Sequence, residues 1–393
     1  MNRDIVILDG ARTAIGAFGG SLADIPPSQL AATCAREALT RSGVEAREIG
    51  QVFFGHVINT EPRDMYLSRV AAMEAGIPDS VPAMNVNRLC GSGAQAIVSA
   101  VQALAMGDAD FALAGGAESM SRSPYALRGA RWGQKMGDTQ AVDMMTGALT
   151  CPFGTGHMGV TAENVAEEHQ ISRADQDAFA AESQRRAAAA IAERRFDGQI
   201  MPIEVKVKRE TKAFAIDEHP KPTTAGTLAA LRPAFRKDGS VTAGNASGLN
   251  DGAAAVVLTT AELAERRGLK PKVRILGYAH AGVRPEVMGL GPVPAVQKLL
   301  AGLGLTVEDF ELIESNEAFA AQAIAVTREL GFDRAKVNPN GGAIALGHPI
   351  GATGAIIALK AIYELERIGG RRALITMCIG GGQGIALALE KAG

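Results

Sequence analysis

One pattern occurs twice in this chain, at an offset of about 260 residues, and a chain that repeats itself at that distance is expected to fold as two like halves. Around residues 30 to 58 it reads as a helix (LAATCAREALTRSG), an acidic turn (VEAREIG) and a strand (QVFFGHVI). Around 295 to 318 it reads AVQKLLAGLG, LTVEDF and ELIESNEA, in the same order. A second match sets PAMNVNRLCGSGAQAIVSAVQALAMGDADFALAGGAES beside AKVNPNGGAIALGHPIGATGAIIALKAIYELERIGGRRALITMCIGGGQGIALAL, each a strand, a glycine-rich turn, an apolar helix and a strand. Solenoid repeats are only about 20 to 50 residues long, so duplication of a whole unit is the reading. Short β-branched runs such as IVIL at 5 to 8 and VRIL at 273 to 276 alternate with Ala-rich helical stretches, the signature of α/β layers.

The chain's 393 residues are too many for one ordinary domain. The boundaries expected are an N-terminal α/β half over 1–120, completed by about 250–270, an inserted segment over 121–249, and a C-terminal α/β half over 271–393. The insertion is richer in charge, Met and Pro, with one amphipathic helix (ADQDAFAAESQRRAAAAIAERR) and a basic strand (EVKVKRE). It shows no core of its own, so it is expected to lie over a neighbouring surface as a lid or assembly element.

A net charge of -2 from 40 basic and 42 acidic residues argues against nucleic acid or an anionic membrane as partner. No apolar stretch is read as reaching about 18 residues, so no membrane span is expected. The start, MNRDIVILDG, reads as strand and loop rather than signal peptide, and the end, EKAG, carries no address, so a reducing cytoplasm is expected. The 46 glycines point to many tight turns and close backbone approaches.

The four cysteines, Cys34, Cys90, Cys151 and Cys378, stand far apart with no zinc-ligand spacing, so neither a structural metal nor a disulfide framework is expected. Cys90, in NRLCGSG, lies between a strand and a helix ended by Gly107. Near a helix N-terminus the dipole and free N–H groups favour a thiolate, which makes Cys90 a candidate nucleophile; a buried structural cysteine is the competing reading. His348 sits between Gly347 and Pro349 in the equivalent turn of the second half. If the two turns converge about a pseudo-twofold axis, His348 can take the Cys90 proton; the competing reading is a satisfied loop histidine. Cys378 ends an apolar strand before GGGQG, which lacks the Lys and Ser/Thr of a P-loop. The bare amides there, at Gly380 especially, can donate to an oxyanion, and the thiol can serve as acid or base. Asn316, in ESNEAFAAQA, reads either as the cap of an Ala-rich helix or as the holder of a water or carbonyl oxygen.

NRLCGSG, NEAFA, GGAIALGHPIGATG and CIGGGQG in this order resemble the thiolase family, the acetyl-CoA acyltransferases, from the first strand to the last. HMGVTAENVA at 157 to 166, LRPAF and VTAGNASGLNDGAAA extend the match through the insertion. The resemblance implies duplicated halves in a layered α/β/α/β/α core with an inserted loop domain covering the site of coenzyme A (CoA). It implies a ping-pong Claisen condensation of an acyl-CoA with acetyl-CoA: Cys90 is acylated, His348 activates it, and Cys378 moves the C2 proton. One oxyanion is then held by His348 and a water on Asn316, the other by the Cys90 and Gly380 amides. No cofactor is implied, since CoA thioesters are substrates. Ser247 matches the loop serine near the pantetheine; Leu149, His157, Met158 and Phe235 match channel residues, as do Ala243, Leu249, Met288 and Phe319. Lys221 and Lys212 are placed near the nucleotide phosphates, although HPKPTT departs from the family's Arg-bearing segment.

INTEPRDMYLSRVAAM resembles bacterial β-ketothiolases of broader chain length, such as those supplying polyhydroxyalkanoate synthesis, so acetoacetyl-CoA and 3-ketovaleryl-CoA are both expected substrates. A degradative thiolase of fatty-acid oxidation shares every motif, and a thiolase-like acyl-CoA or lipid carrier is the non-enzymatic alternative. GALTCPF and the loop-domain edge suggest burial in a homo-oligomer, a dimer or tetramer as is common in thiolases. Cys90 and Cys378 are a candidate redox pair if their Cα atoms come within about 7 Å.

Overall fold

The computed structural model describes residues 3–207 and 210–392. Lys208 and Arg209 of the expected basic strand, and Met1, Asn2 and Gly393 at the termini, lie outside the described residues. The first half contributes strands Ile5–Arg12 (β1), Ile49–Gly55 (β2), Ala83–Val86 (β3), Phe111–Ser119 (β4) and Asn250–Thr260 (β5). The second contributes Val273–Gly282 (β6), Leu312–Ser315 (β7), Arg372–Ile379 (β8) and Gln383–Lys391 (β9). Their order in space is β7-β8-β9-β6-β1-β5-β4-β2-β3.

Outward from the β1/β6 seam the two halves match strand for strand. β1 is antiparallel to β5 and β5 to β4, then β4 is parallel to β2 and β2 to β3. Likewise β6 is antiparallel to β9 and β9 to β8, β8 is parallel to β7, and a parallel bridge from Ile313 to Val337 stands where β3 stands in the first half. The seam is only Val6 with Arg274 and Ile7 with Val273.

Helices of ten residues or more are Pro27–Ser42 (α1), Ser92–Met106 (α2), Met158–Glu168 (α3), Arg173–Ala192 (α4), Pro292–Leu303 (α5), Ala320–Glu329 (α6) and Thr353–Ile368 (α7). α1 covers β1 and β5, and α5 covers β6 and β9. α2 and α7 pack on each other, and each touches strands of both halves. The result is five layers, α/β/α/β/α. The expected helix stop at Gly107 holds, with φ of 84°, and Gly43, Gly304 and Gly369 end α1, α5 and α7 in the same way, with φ of 69°, 65° and 64°.

The central layer corrects one expectation. Leu89–Met106 does reach the length and apolarity of a membrane span, with mean hydropathy 1.4, yet 61% of it is buried inside the protein. A helix covered on both faces by sheets is apolar all round for that reason alone.

The insertion buries its apolar residues in clusters shared with the two halves: Phe196, Ile200, Ile203 and Phe214 join the main core, and others pack on the second half. Met158 and Val241 cluster with Met288 and Phe319, Val165 and Ile171 with Val287 and Ile324, Ala180 and Leu228 with Ala320 and Ile344. A fully buried ion pair ties it to the first half as well: Arg12 on β1 donates to Asp217 at 2.7 and 3.0 Å and to Gln199 at 2.8 Å.

Candidate active site

Two central helices that touch without side chains between them bring the two glycine-rich turns together. A Cβ on Gly354 of α7 would overlap the Ala94 amide nitrogen, and one on Gly93 of α2 would lie 2.7 Å from that of Ala355. The backbones therefore meet at the N-terminal ends of α2 and α7, where Cys90 and His348 stand.

The residue before Cys90 is strained. Leu89 has φ of 46°, a left-handed conformation that costs a branched residue about 1–3 kcal/mol. It is held there by hydrogen bonds on both sides: its N–H donates to Asn87 at 3.0 Å, and the Ser92 hydroxyl donates to its carbonyl at 2.6 Å while accepting the Arg88 N–H at 2.8 Å. The Cys90 thiol is not lowered as the helix-end position suggested. Burial pushes it up, against a smaller pull from the backbone amides of Gly380 and Cys90, and the nearby Glu118 carboxylate pushes the same way as burial. Desolvation outweighs the dipole, so the thiol keeps its proton at neutral pH.

His348 is buried, and its own N–H donates to the Asn250 side chain at 2.8 Å. Its Nδ1 lies 2.6 Å from the Thr353 hydroxyl, which itself donates to the Pro349 carbonyl at 2.9 Å. Thr353 has its proton committed, so it accepts from His348; Nδ1 carries the hydrogen and Nε2 keeps its lone pair. That Nε2 has no protein partner. Burial holds the imidazole down to about 4, so it is a neutral base at neutral pH.

Cys378 is the penultimate residue of β8, and its thiol is pushed up by burial and then by Cys90. The turn Gly380–Gly382 that follows needs φ of 82° at Gly381 and 87° at Gly382, and it aims the Gly380 amide at the Cys90 sulfur. Cys90, His348, Cys378 and Gly380 line one cavity of about 380 Å³.

The expected channel residues line the same cavity: Ser247, Leu149, His157, Met158 and Phe235, together with Ala243, Leu249, Met288 and Phe319. His157 stacks on Phe235 at 4.8 Å, and Phe235 meets Phe319 edge-on at 6.2 Å, which makes one aromatic wall. Lys221 and Lys212 are not part of it. Lys221 is exposed on the insertion, with its N–H bonded to Gln184, and Lys212 pairs with Glu210 at 3.1 Å on a surface hairpin.

Asn316 is not a cap, because α6 starts at Ala320 with Phe319 in the capping position. Its side chain is buried, and neither amide atom has a protein partner. Such a group is costly unless a water or ligand oxygen meets it. It does not line the cavity itself.

Thr353 and Asn250, which orient His348, were not singled out from the sequence, nor were Met120 and Ile350 in the cavity wall. Thr353 lies inside the GHPIGAT motif, but only the fold of that turn brings its hydroxyl to Nδ1. All four cysteines are free, and among the described residues no group of three or more His, Cys, Asp or Glu could hold a metal.

This fold and this pair of turns have known relatives. The model of the thiolase N-terminal domain matches residues 5–262, and that of the thiolase C-terminal domain matches 269–391. The chain belongs to the thiolase family. It is 59% identical over 393 residues to the beta-ketothiolase BktB of Cupriavidus necator, covering 100% of both chains. It is 49% identical to an acetyl-CoA acetyltransferase of Chromobacterium violaceum, covering 99% of this chain and 100% of that one. The crystal structure of the Bacillus anthracis acetyl-CoA acetyltransferase superposes with a TM-score of 0.97 at 46% identity, covering 99% of each chain. That of human mitochondrial 3-ketoacyl-CoA thiolase in complex with CoA also gives 0.97, at 42% identity, covering 100% of this chain and 98% of that one.

Proposed function

We propose that this thiolase runs a reversible ping-pong Claisen condensation of an acyl-CoA with acetyl-CoA. The observation that carries it is one apolar cavity lined by a thiol, a neutral imidazole with a free Nε2 and a second thiol. With Cys90 raised and His348 lowered, a standing thiolate–imidazolium pair is unfavourable. The Cys90 proton therefore passes to His348 Nε2 as Sγ attacks the thioester carbonyl, and CoA leaves with that proton. The Gly380 and Cys90 amides hold the oxyanion of this step; removing one such donor typically costs about 10² to 10³ in turnover. In the second half-reaction Cys378 passes its thiol proton to His348 Nε2 and then takes the C2 proton of acetyl-CoA. The carbanion attacks the acyl-Cys90 carbonyl, the C–S bond breaks, and the Cys90 thiolate recovers a proton from His348, which leaves both thiols protonated and the imidazole neutral. The proton now on His348 Nε2 and a water on Asn316 donate to the enolate oxygen; the unpartnered Asn316 amide supports that role.

The acyl range is short to medium, including acetoacetyl-CoA and 3-ketovaleryl-CoA, a reading supported by the likeness to a beta-ketothiolase. A degradative role is the second reading, favoured by the likeness to the human 3-ketoacyl-CoA thiolase and set back by its lower identity. The segment 121–249 acts as the cover of the CoA channel, with Ser247 against the pantetheine and Lys221 toward the nucleotide. A homo-oligomer, dimer or tetramer, is supported by Tyr125, Trp132 and Met136, which are 66, 85 and 102% exposed. Free cysteines fit a reducing cytoplasm.

Intact-mass measurement after brief exposure to acetyl-CoA tests the mechanism. An added acetyl group is expected on wild type and Cys378→Ala but not on Cys90→Ala. No adduct on any of them would overturn it and favour the carrier alternative.

A further inference from the structure

Glu118 lies at the end of β4, fully buried, with both oxygens occupied. Oε2 accepts the N–H of Gly351 at 2.9 Å and of Val57 at 3.1 Å; Oε1 accepts the N–H of Ile58 at 3.1 Å. Gly351 is three residues past His348 in the second half, whereas Val57 and Ile58 follow β2 in the first. One carboxylate thus clasps loops from both halves. A Cβ on Gly351 would come within 2.5 Å of Oε2, so the approach depends on that residue's bare backbone. Beside the clasp, Ile58 and Ile350 pack with Met120, and Cys90 leans on the same cluster.

Behind Glu118 stands His56, also buried. Its Nδ1 lies 2.9 Å from the Ala117 carbonyl and 3.3 Å from Glu118 Oε1. Its Nε2 faces Asp64 Oδ2 at 4.0 Å, beyond hydrogen-bond reach, and neither that Nε2 nor Asp64 Oδ1 has a protein partner. The titratable groups around Glu118 are therefore His56 and Asp64 from the loop after β2, Cys90 from the turn before α2, and, across the cavity from Cys90, His348 and Cys378.

We propose that Glu118 is a positioning residue for acyl transfer: its carboxylate pins the turn that carries His348 to the loop after β2, and so sets the placement of the imidazole relative to Cys90. This rests on the acyl-Cys90 reading above. The halves share only the Val6–Arg274 and Ile7–Val273 pairs in the sheet, so a carboxylate bonded to loops of both adds to the α2/α7 contact in fixing this turn, and a loosened turn moves His348 Nε2 relative to Sγ. A misplacement of about 1 Å is enough to cost up to roughly 10²-fold in rate. The same carboxylate also opposes thiolate formation at Cys90, so its charge and its reach have separate consequences.

Two variants divide them. Glu118→Asp keeps the charge and falls a methylene short, while Glu118→Gln loses the charge and turns an N–H₂ toward an amide donor. Both are expected to slow acetylation of Cys90 by about tenfold or more, with KM for acetyl-CoA within about twofold of wild type. The pH midpoint of Cys90 alkylation by iodoacetamide should fall in Glu118→Gln and stay in place in Glu118→Asp. Wild-type acetylation rates in both variants, or an unmoved midpoint in Glu118→Gln, would overturn the assignment. Wild-type enzyme that takes no acetyl group at Cys90 would instead remove the mechanism on which it rests. Should either variant fail to fold, hydrogen exchange on the wild-type chain decides: the Gly351 amide should exchange as slowly as those of Val57 and Ile58, and fast exchange at Gly351 alone sinks the clasp.

Discussion

At His348 a single hydroxyl decides which nitrogen is the base. Thr353 accepts from Nδ1 because its own proton is bound to the Pro349 carbonyl, and that leaves Nε2 free toward the cavity. Replacing it, Thr353→Val, removes one neutral hydrogen bond, a loss of about 0.5–1.5 kcal/mol, and should slow Cys90 acetylation up to roughly tenfold. The acid limb of that rate should remain near pH 4, because burial rather than Thr353 lowers the imidazole. An unfolded histidine titrates near 6.5, so between these values the unfolded chain binds more protons and stability falls as pH drops. Stopped-flow acylation across pH 3.5 to 7 checks both; a rate equal to wild type would mean the tautomer is set elsewhere. Cys90 shows what residue-level sequence reasoning leaves out. Its place at a helix N-terminus was legible, whereas the burial that reverses the direction of its shift arises where Ile58, Met120 and Ile350, far apart along the chain, close around it.

The helices α2 and α7 carry the site on glycine. At Gly354 an added methyl meets the Ala94 backbone, which cannot yield as a side-chain tip can. Gly354→Ala should therefore destabilise the fold by about 1–3 kcal/mol and slow acetylation, since separating the helices separates Cys90 from His348. Gly302 of α5 has open space around it, and Gly302→Ala should stabilise by about 0.5–1 kcal/mol with activity unchanged. Denaturant midpoints with acylation rates check the pair; Gly354→Ala at wild-type stability would refute the crossing. At this scale much was readable in advance. The helix end at Gly107 was read in advance, and those at Gly43, Gly304 and Gly369 follow from the same local backbone preference. Asn316 misled because a polar residue before an Ala-rich run looks like a cap, while the helix begins four residues later, at Ala320.

For the whole molecule, the question is what acyl chain the assembled cavity admits. Met120, Met158 and Met288 form part of its wall, and unbranched thioethers adapt to chains of different length. Turnover is expected with four-, five- and six-carbon 3-ketoacyl-CoA substrates compared side by side; activity confined to acetoacetyl-CoA would overturn the broad range. The duplicated α/β plan, the apolar helices and the candidacy of Cys90, His348 and Cys378, which the fold brings to one cavity, could be read along the chain, because periodicity, glycine placement and motif order are local properties. What arose only on folding was relational. The Glu118 clasp joins groups 60 to 233 residues apart, the Asn250 side chain reaches the His348 N–H across 98, and even the Thr353 contact that sets the His348 tautomer, five residues along, needs the folded turn. Burial and hydrogen-bond geometry belong to such pairs, and they exist only once the two halves and the insertion have closed on one another.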